Sequence, residues 1–309
     1  MSIYPLVTVA IPTLNRLMFI ESTLESILKQ TYKNLEIIVS DNGSKVDVKN
    51  HIKALLEDER VLFRRNLETV TLPEHFNQCL DLASGKYFIV ISDDDIISNG
   101  FIEKMVDEFE SDEKITIGLS NTKILSKNSE ITNTINDPNW ETLGGELFLD
   151  RWLHLRQDIP VASFISLFCK TETLVKIGKY PHFADGAHID NAVAIDLCLL
   201  GKIFYLKTET FYYRVYSSSF GLSMKHKNLA LASHQFANYI ENKIKQKQVP
   251  YNTINLKHLL GDIKYFSFIV YLGRIKNLRG KKLLSAIYSY KLNLFEFKII
   301  LSILLKKII

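Results

Sequence analysis

Cysteine is scarce in this sequence: three residues in 309, Cys79, Cys169 and Cys198, none at a metal-ligand spacing from another. That excludes a disulfide framework and a cysteine zinc site, and reads as three reduced core residues in a reducing compartment. No G-x-G-x-x-G follows the first strand-like segment and no G-x-x-x-x-G-K-[ST] occurs anywhere, so a Rossmann dinucleotide site and a P-loop are both excluded. A phosphate-bearing ligand would need neutralising by something other than a glycine-rich turn. The opening MSIYPLVTVAIPT lacks the basic start and cleavage site of a signal peptide, and Pro5 and Pro12 interrupt its apolar run. Long uncharged apolar runs of membrane-spanning length are missing as well. Neither internal repeats nor a low-complexity linker are evident.

Acidic residues are lacking in one part of the chain. The formal net charge of +4 conceals a tail, residues 225–309, with 16 Lys and Arg against 3 Asp and Glu, while residues 1–224 are net acidic. Two regions are therefore expected: a domain over 1–224, and a basic, mostly helical C-terminal region over 225–309. In the last block, LFEFKIILSILLKKII, Lys298, Ser302 and Lys306 lie four apart on one face of an apolar helix. Such a helix suits an anionic membrane surface, or packing on the domain or on a second copy in a homo-oligomer. The apolar blocks between its charges argue against nucleic acid as the partner.

Before that tail, strand-like and helix-like segments alternate. Strands are predicted over Val7–Pro12, Leu35–Ser40, Val61–Arg65 and Tyr87–Ser92, and helices over Arg16–Gln30, Asp47–Leu56, Pro73–Leu82 and Ile96–Phe109. This pattern predicts an α/β fold, a mostly parallel sheet flanked by helices. Ligands of such sheets bind beyond the carboxyl ends of the strands. The residues delivered there are Pro12 to Asn15, Asp41 to Ser44, Asn66, and the three consecutive acids Asp93, Asp94 and Asp95. Adjacent carboxylates need water, backbone donors or a cation to compensate them. A hard divalent cation, magnesium or manganese, takes one or two carboxylates and fills its other positions with water and phosphate oxygens. The acids could equally cap the following helix, and Asp41-Asn-Gly-Ser could equally form an Asx turn. Trp140 and Trp152 could stack on a sugar or belong to the core.

Four stretches carry a resemblance in their order and spacing: VAIPTLNR, QTYKNLEIIVSDNGS, ASGKYFIVISDDDI and GAHIDNAVAIDLCLLGKIFYL. Across roughly residues 4 to 220 the chain resembles the family 2 glycosyltransferases of GT-A fold. The resemblance implies a metal-dependent, inverting transfer of a sugar from a nucleoside-diphosphate sugar to a hydroxyl of a glycan or lipid-linked glycan in surface polysaccharide synthesis, by a cytoplasmic protein peripheral to the inner face of the cell membrane. It implies nucleotide contacts from Pro12, Asn15, Asp41 and Asp93, metal ligands Asp94 and Asp95, and a divalent cation. Ser92 stands where many relatives have the first acid of the motif. The catalytic base implied is Asp190, eleven residues before Gly201, with Ile189 where a glutamate is common and Asp196 and Asp185 as substitutes. The alternative for Asp190 is a helix N-cap. Arg214 is implied as a diphosphate contact from a closing loop, or else a surface salt bridge, and Tyr216 stands where a histidine is common. A nucleotidyltransferase using the same acids, or a nucleotide- or carbohydrate-binding module without catalysis, are the other readings.

Overall fold

A computed structural model describes residues 4–134, 137–153, 166–216 and 224–246. The chain divides into two compact units, residues 1–182 with 189–219, and residues 183–188 with 220–309. The short segment 183–188 thus goes with the second unit. Residues 247–309, and with them Lys298, Ser302 and Lys306, lie outside the described residues.

The first unit holds two sheets. In one, β1 (Val7–Thr13), β2 (Leu35–Asp41), β3 (Val61–Arg65) and β4 (Tyr87–Val90) are parallel, ordered β3-β2-β1-β4, with the two-residue β9 (Cys169–Lys170) antiparallel beyond β4. β1 is central and all seven of its residues are buried, as its β-branched, uncharged sequence requires. Its alternating side chains serve two faces. Val7, Val9 and Ile11 join Ile20, Leu24 and Ile27 of α1 (Ile20–Leu28) and Phe101, Ile102 and Met105 of α4 (Phe101–Ser111) in one core. Burying each such side chain contributes about 1.5–3 kcal/mol. On α3 (Leu72–Asp81), His75 is buried and its Nε2 lies 2.8 Å from the Ser40 hydroxyl of β2.

The second sheet runs β5-β10-β6-β7, from β5 (Ile96–Ile97), β6 (Ile115–Leu125), β7 (Ile131–Thr134) and β10 (Lys202–Arg214), with β8 (Thr142–Gly144) also pairing β10. Two predicted elements change character here. Ile96 and Ile97 do not begin a helix; they pair antiparallel with Tyr212 and Phe211, and α4 starts only at Phe101 with Gly100 as its N-cap. The acids before them therefore cap no helix. The helix expected over Asp47–Leu56 is split into α2 (Val48–His51), capped by the Asp47 carboxylate, and a 3₁₀ turn over Lys53–Glu57.

The middle region, where the sequence shows few regular signals, holds β7, β8 and α5 (Gly145–Leu153). Trp152 is 3% exposed and belongs to the core, while Trp140 meets Phe148 and Tyr205 edge to face. α6 (Thr171–Lys176) leads on to α7 (Ile189–Cys198), which packs on α5 and β6. All three cysteines are free and buried.

In the second unit, α8 (His226–Lys245) buries Leu229, Ser233, Phe236 and Ile240, spaced as one helical face. The segment 183–188 lies on that face: the His188 ring stacks on Phe236 at 5.3 Å, its Nε2 lies 2.9 Å from the Ser233 hydroxyl, and Ala184 N–H donates to Gln235. Among the described residues no helix is long and apolar enough to cross a membrane.

Two measurements test this packing. A Cβ on Gly145 would fall 1.7 Å from the Cys198 carbonyl oxygen at the end of α7, whereas one on Gly144 meets nothing within 4 Å. Gly145→Ala should therefore lower stability by about 1–3 kcal/mol or more, and Gly144→Ala should stay within about 0.5 kcal/mol, by denaturant titration. Burial, helped by Arg64, pushes the His75 imidazole down to about 4 from 6.5. Because the unfolded chain binds that proton more readily, stability falls as pH drops below 6.5 and the loss is complete near 4, amounting to about 3 kcal/mol. His75→Gln should flatten the pH dependence of stability between pH 4 and 6.5; an unchanged slope would refute the assignment.

Candidate active site at the strand ends

The chain runs outward through β1, β2 and β3 and then returns to the other side of β1 as β4. This reversal opens a crevice beyond the carboxyl ends of β1 and β4, the position where ligands of open α/β sheets bind. Thr13 ends β1 there and the acid triplet follows β4. The Thr13 hydroxyl donates to Asp93 Oδ2 at 2.6 Å across the crevice.

Arg16, in the turn after β1, closes the arrangement. Its Nη1 lies 3.1 Å from Asp93 Oδ1 and 3.1 Å from Asp94 Oδ2, and its side chain is 29% exposed. Burial pulls the Arg16 guanidinium down, but the two carboxylates outweigh it and hold the group above its ordinary value. Burial raises Asp93 to about 6, against the opposing pull of Arg16 and Thr13. Asp94 Oδ2 also accepts from the Tyr216 hydroxyl at 3.0 Å, and burial together with Asp94 lifts that phenol to about 12.

Asp95 does not share this cation. It is fully buried, its Oδ1 accepts the backbone N–H of Arg214 at 2.8 Å, and its Oδ2 has no hydrogen-bond partner. Burial, and then Asp94, raise it well above the ordinary carboxylate value. The two acids that face the Arg16 guanidinium are thus Asp93 and Asp94. A two-carboxylate set of hard oxygens, with a guanidinium already between them, fits magnesium or manganese completed by water and phosphate oxygens. Among the described residues no group of three or more metal-binding side chains gathers.

Arg214 packs against the same turn from the end of β10. It is 2% exposed, its Nε donates to the Asp94 carbonyl at 2.8 Å, its Nη1 donates to Ser126 O and Ser129 Oγ, and its guanidinium lies 4.1 Å from the Phe19 ring centroid. Buried and held on several sides, it braces the acid turn rather than forming a surface salt bridge.

A second station lies one strand away on the other side of β1. Asp41 is fully buried; Oδ1 accepts Ser44 N–H at 2.9 Å, an Asx turn, while Oδ2 has no hydrogen-bond partner and stands 3.6 Å from Arg65 Nε. Both readings of Asp41 are therefore open to one side chain, one oxygen for each. Gly43 makes the turn feasible: its φ is +73° and a Cβ there would sit 3.0 Å from the Glu68 backbone. Asn42 Oδ1 accepts from Asn66 Nδ2 and Val70 N–H, fastening the loops after β2 and β3 together. Pro12 is buried beside Ser40, and Asn15, at φ 56°, binds Ser44 Oγ and Lys45 N–H, so both support the turn that frames Asp41.

Asp190 lies in the first turn of α7, half-buried, with Oδ1 accepting the Asn191 N–H. Of its substitutes, Asp196 is 5% exposed within the same helix, and Asp185 belongs to segment 183–188, where it accepts from Asn228. Sequence reasoning missed Arg16, Thr13 and Tyr216 as partners of the acids. The available signal was a basic residue in a turn at the same sheet edge as the triplet.

The profile of glycosyl transferase family 2 matches residues 8–170. Over 104 residues the chain is 35% identical to the GalNAc(5)-diNAcBac-PP-undecaprenol beta-1,3-glucosyltransferase of Campylobacter jejuni, covering 33% of this chain and 34% of that protein. Over 133 residues it is 32% identical to the UDP-Glc:alpha-D-GlcNAc-diphosphoundecaprenol beta-1,3-glucosyltransferase WfaP of Escherichia coli, covering 43% and 52%. The match thus spans between about a third and a half of these relatives. Among solved structures, S. aureus TarS 1-349 in complex with UDP-GlcNAc superposes with a TM-score of 0.71 at 14% identity, covering 92% of this chain and 80% of that one. At that identity the likeness is one of fold. The profile extends over more than half of the chain and takes in the ends of β1, β2 and β4, so the crevice just described belongs to a member of glycosyl transferase family 2, built on the GT-A fold.

Proposed function

We propose that the chain transfers a sugar, with inversion, from a nucleoside-diphosphate sugar to a hydroxyl of a glycan or lipid-linked glycan. The observation that carries this reading is the pair of carboxylate stations flanking β1: a buried oxygen of Asp41 that accepts no hydrogen bond on one side, and Asp93 with Asp94 on the other. Two strand spacings separate them, about 9.5 Å, a span suited to a nucleoside with its base at Asp41 and its diphosphate at the acid pair. Asp41 Oδ2, 3.6 Å from Arg65 Nε and without a hydrogen bond, can accept from an N–H donor such as a nucleobase offers. Asp93 and Asp94 would hold a divalent cation, with Asp94 the ligand we assign to it and Asp93 nearer the ribose. When bound, that cation neutralises charge on the departing nucleoside diphosphate.

Asp190 is the base we assign, taking the proton from the acceptor hydroxyl. One base opposite the leaving group implies inversion. Relatives named for undecaprenol diphosphate glycans, and the solved UDP and UDP-GlcNAc complexes of TarS, support a lipid-linked acceptor and a nucleotide-sugar donor. The basic and apolar sequence over 225–309 supports a place at the anionic cytoplasmic membrane surface, where such acceptors are held.

A screen of nucleoside-diphosphate sugars for cation-dependent hydrolysis and transfer, paired with calorimetry, tests this. Asp94→Ala should abolish cation-dependent nucleotide binding and turnover together. Asp190→Asn should lower transfer by about 10²–10⁴-fold while nucleoside diphosphate binds as before. Full transfer by the Asp190 variant would remove it as the base, and a wild-type protein that binds no nucleoside diphosphate with manganese would overturn the whole reading.

A further inference from the structure

The two arginines at the acid turn differ in a way that matters. Arg214 is buried and bound through two of its nitrogens, so it cannot leave without unmaking the turn. Arg16 is 29% exposed at the crevice, and a single nitrogen, Nη1, makes both of its carboxylate contacts. Its Nε and Nη2 make no hydrogen bond among the described residues. The turn that carries it is anchored separately, by Asn15 to Ser44 and Lys45, so the Arg16 side chain can swing while its backbone stays in place. A guanidinium with unused donors beside a part-open crevice has a ready second partner in any phosphate oxygen that arrives there, since it matches phosphate in a fork.

Asp94 Oδ2 already receives Arg16 Nη1 and the Tyr216 hydroxyl, and Asp93 receives Arg16 and Thr13. A divalent ion approaching the pair alone would have to compete with a charge-assisted contact to each acid. Resting on the functional reading above, we propose that Arg16 is a resident counter-ion that must leave the Asp93–Asp94 pair before a divalent cation binds there, and that the donor diphosphate draws it away. Cation and nucleotide then bind as a coupled pair: each removes the obstacle to the other. The protein without donor holds its acids neutralised and takes up free cation poorly.

The test uses the full chain with Arg16→Gln and Arg16→Met, the second lacking any polar group. Manganese alone is titrated by the loss of its free electron-paramagnetic-resonance signal, and the tightest-binding of UDP, GDP and CDP is titrated by calorimetry without metal. Both variants should bind manganese alone about 10-fold more tightly than wild type and the metal-free nucleotide about 10-fold more weakly, within the usual range of coupling between sites. A merely structural role for Arg16 would weaken both. If manganese affinity fails to rise in whichever variant is folded by circular dichroism, the inference is overturned, and the functional reading stands so long as wild type binds the nucleotide with manganese. If wild type binds no nucleotide even with manganese, that reading falls and this inference with it.

Discussion

Three consecutive carboxylates at the mouth of a sheet repel one another, and the surrounding structure is arranged to make them tolerable. Each acid has its own compensation. Asp93 receives the Thr13 hydroxyl and Arg16; Asp94 shares Arg16 and takes Tyr216; Asp95 receives a backbone N–H from Arg214. The donors come from the end of β1, the turn after it, and the end of β10. Satisfying the triplet therefore ties the parallel sheet to the second sheet, and Ile96 and Ile97 continue the connection by pairing directly with β10. Because a buried unpaired carboxylate is costly, the same electrostatics that prepare the crevice also hold the unit together.

The nucleotide side of the crevice is built on different physics. Asp41 stands alone, so no mutual repulsion has to be relieved there, and one oxygen closes a turn while the other waits without a hydrogen bond. Around it the frame is tightly bonded: Asn42 with Asn66 and Val70, Asn15 with the Ser44 loop, His75 beneath on Ser40, and Arg65 beside the carboxylate. A tightly bonded frame around one acceptor oxygen that takes no hydrogen bond favours recognition of one donor group. A cluster of acids with a movable arginine favours a charged ligand and its counter-ion.

The strands were largely legible. Leu35–Ser40 and Val61–Arg65 show in the sequence as short apolar or β-branched runs, and the structure places strands over Leu35–Asp41 and Val61–Arg65. Helix boundaries failed where long-range contacts override local periodicity. Arg16 to Phe19 carry a helical pattern but lie before α1, and Arg16 and Phe19 instead meet Asp93, Asp94 and Arg214. Ile96 and Ile97 fit an amphipathic helix equally well, yet β10, more than a hundred residues later, recruits them into a sheet. The tasks of the two arginines were likewise invisible, because adjacency across 77 residues for Arg16 and 120 for Arg214 is not written in any local pattern.

What the sequence by itself determined is the residue chemistry at the strand ends, since a strand's apolar run terminates where its polar residues must reach solvent or a ligand, and that termination is local. Pro12, Asp41, Asp93, Asp94 and Asp95 all stand at or just beyond such ends. Only the tertiary structure decided which acids share the Arg16 guanidinium and which is buried away from it, because charge compensation depends on distances between segments that the chain brings together only after it folds. The reversal of strand order at β1, and with it the crevice, has the same origin: strand neighbours are chosen by packing across the sheet, not by order along the chain.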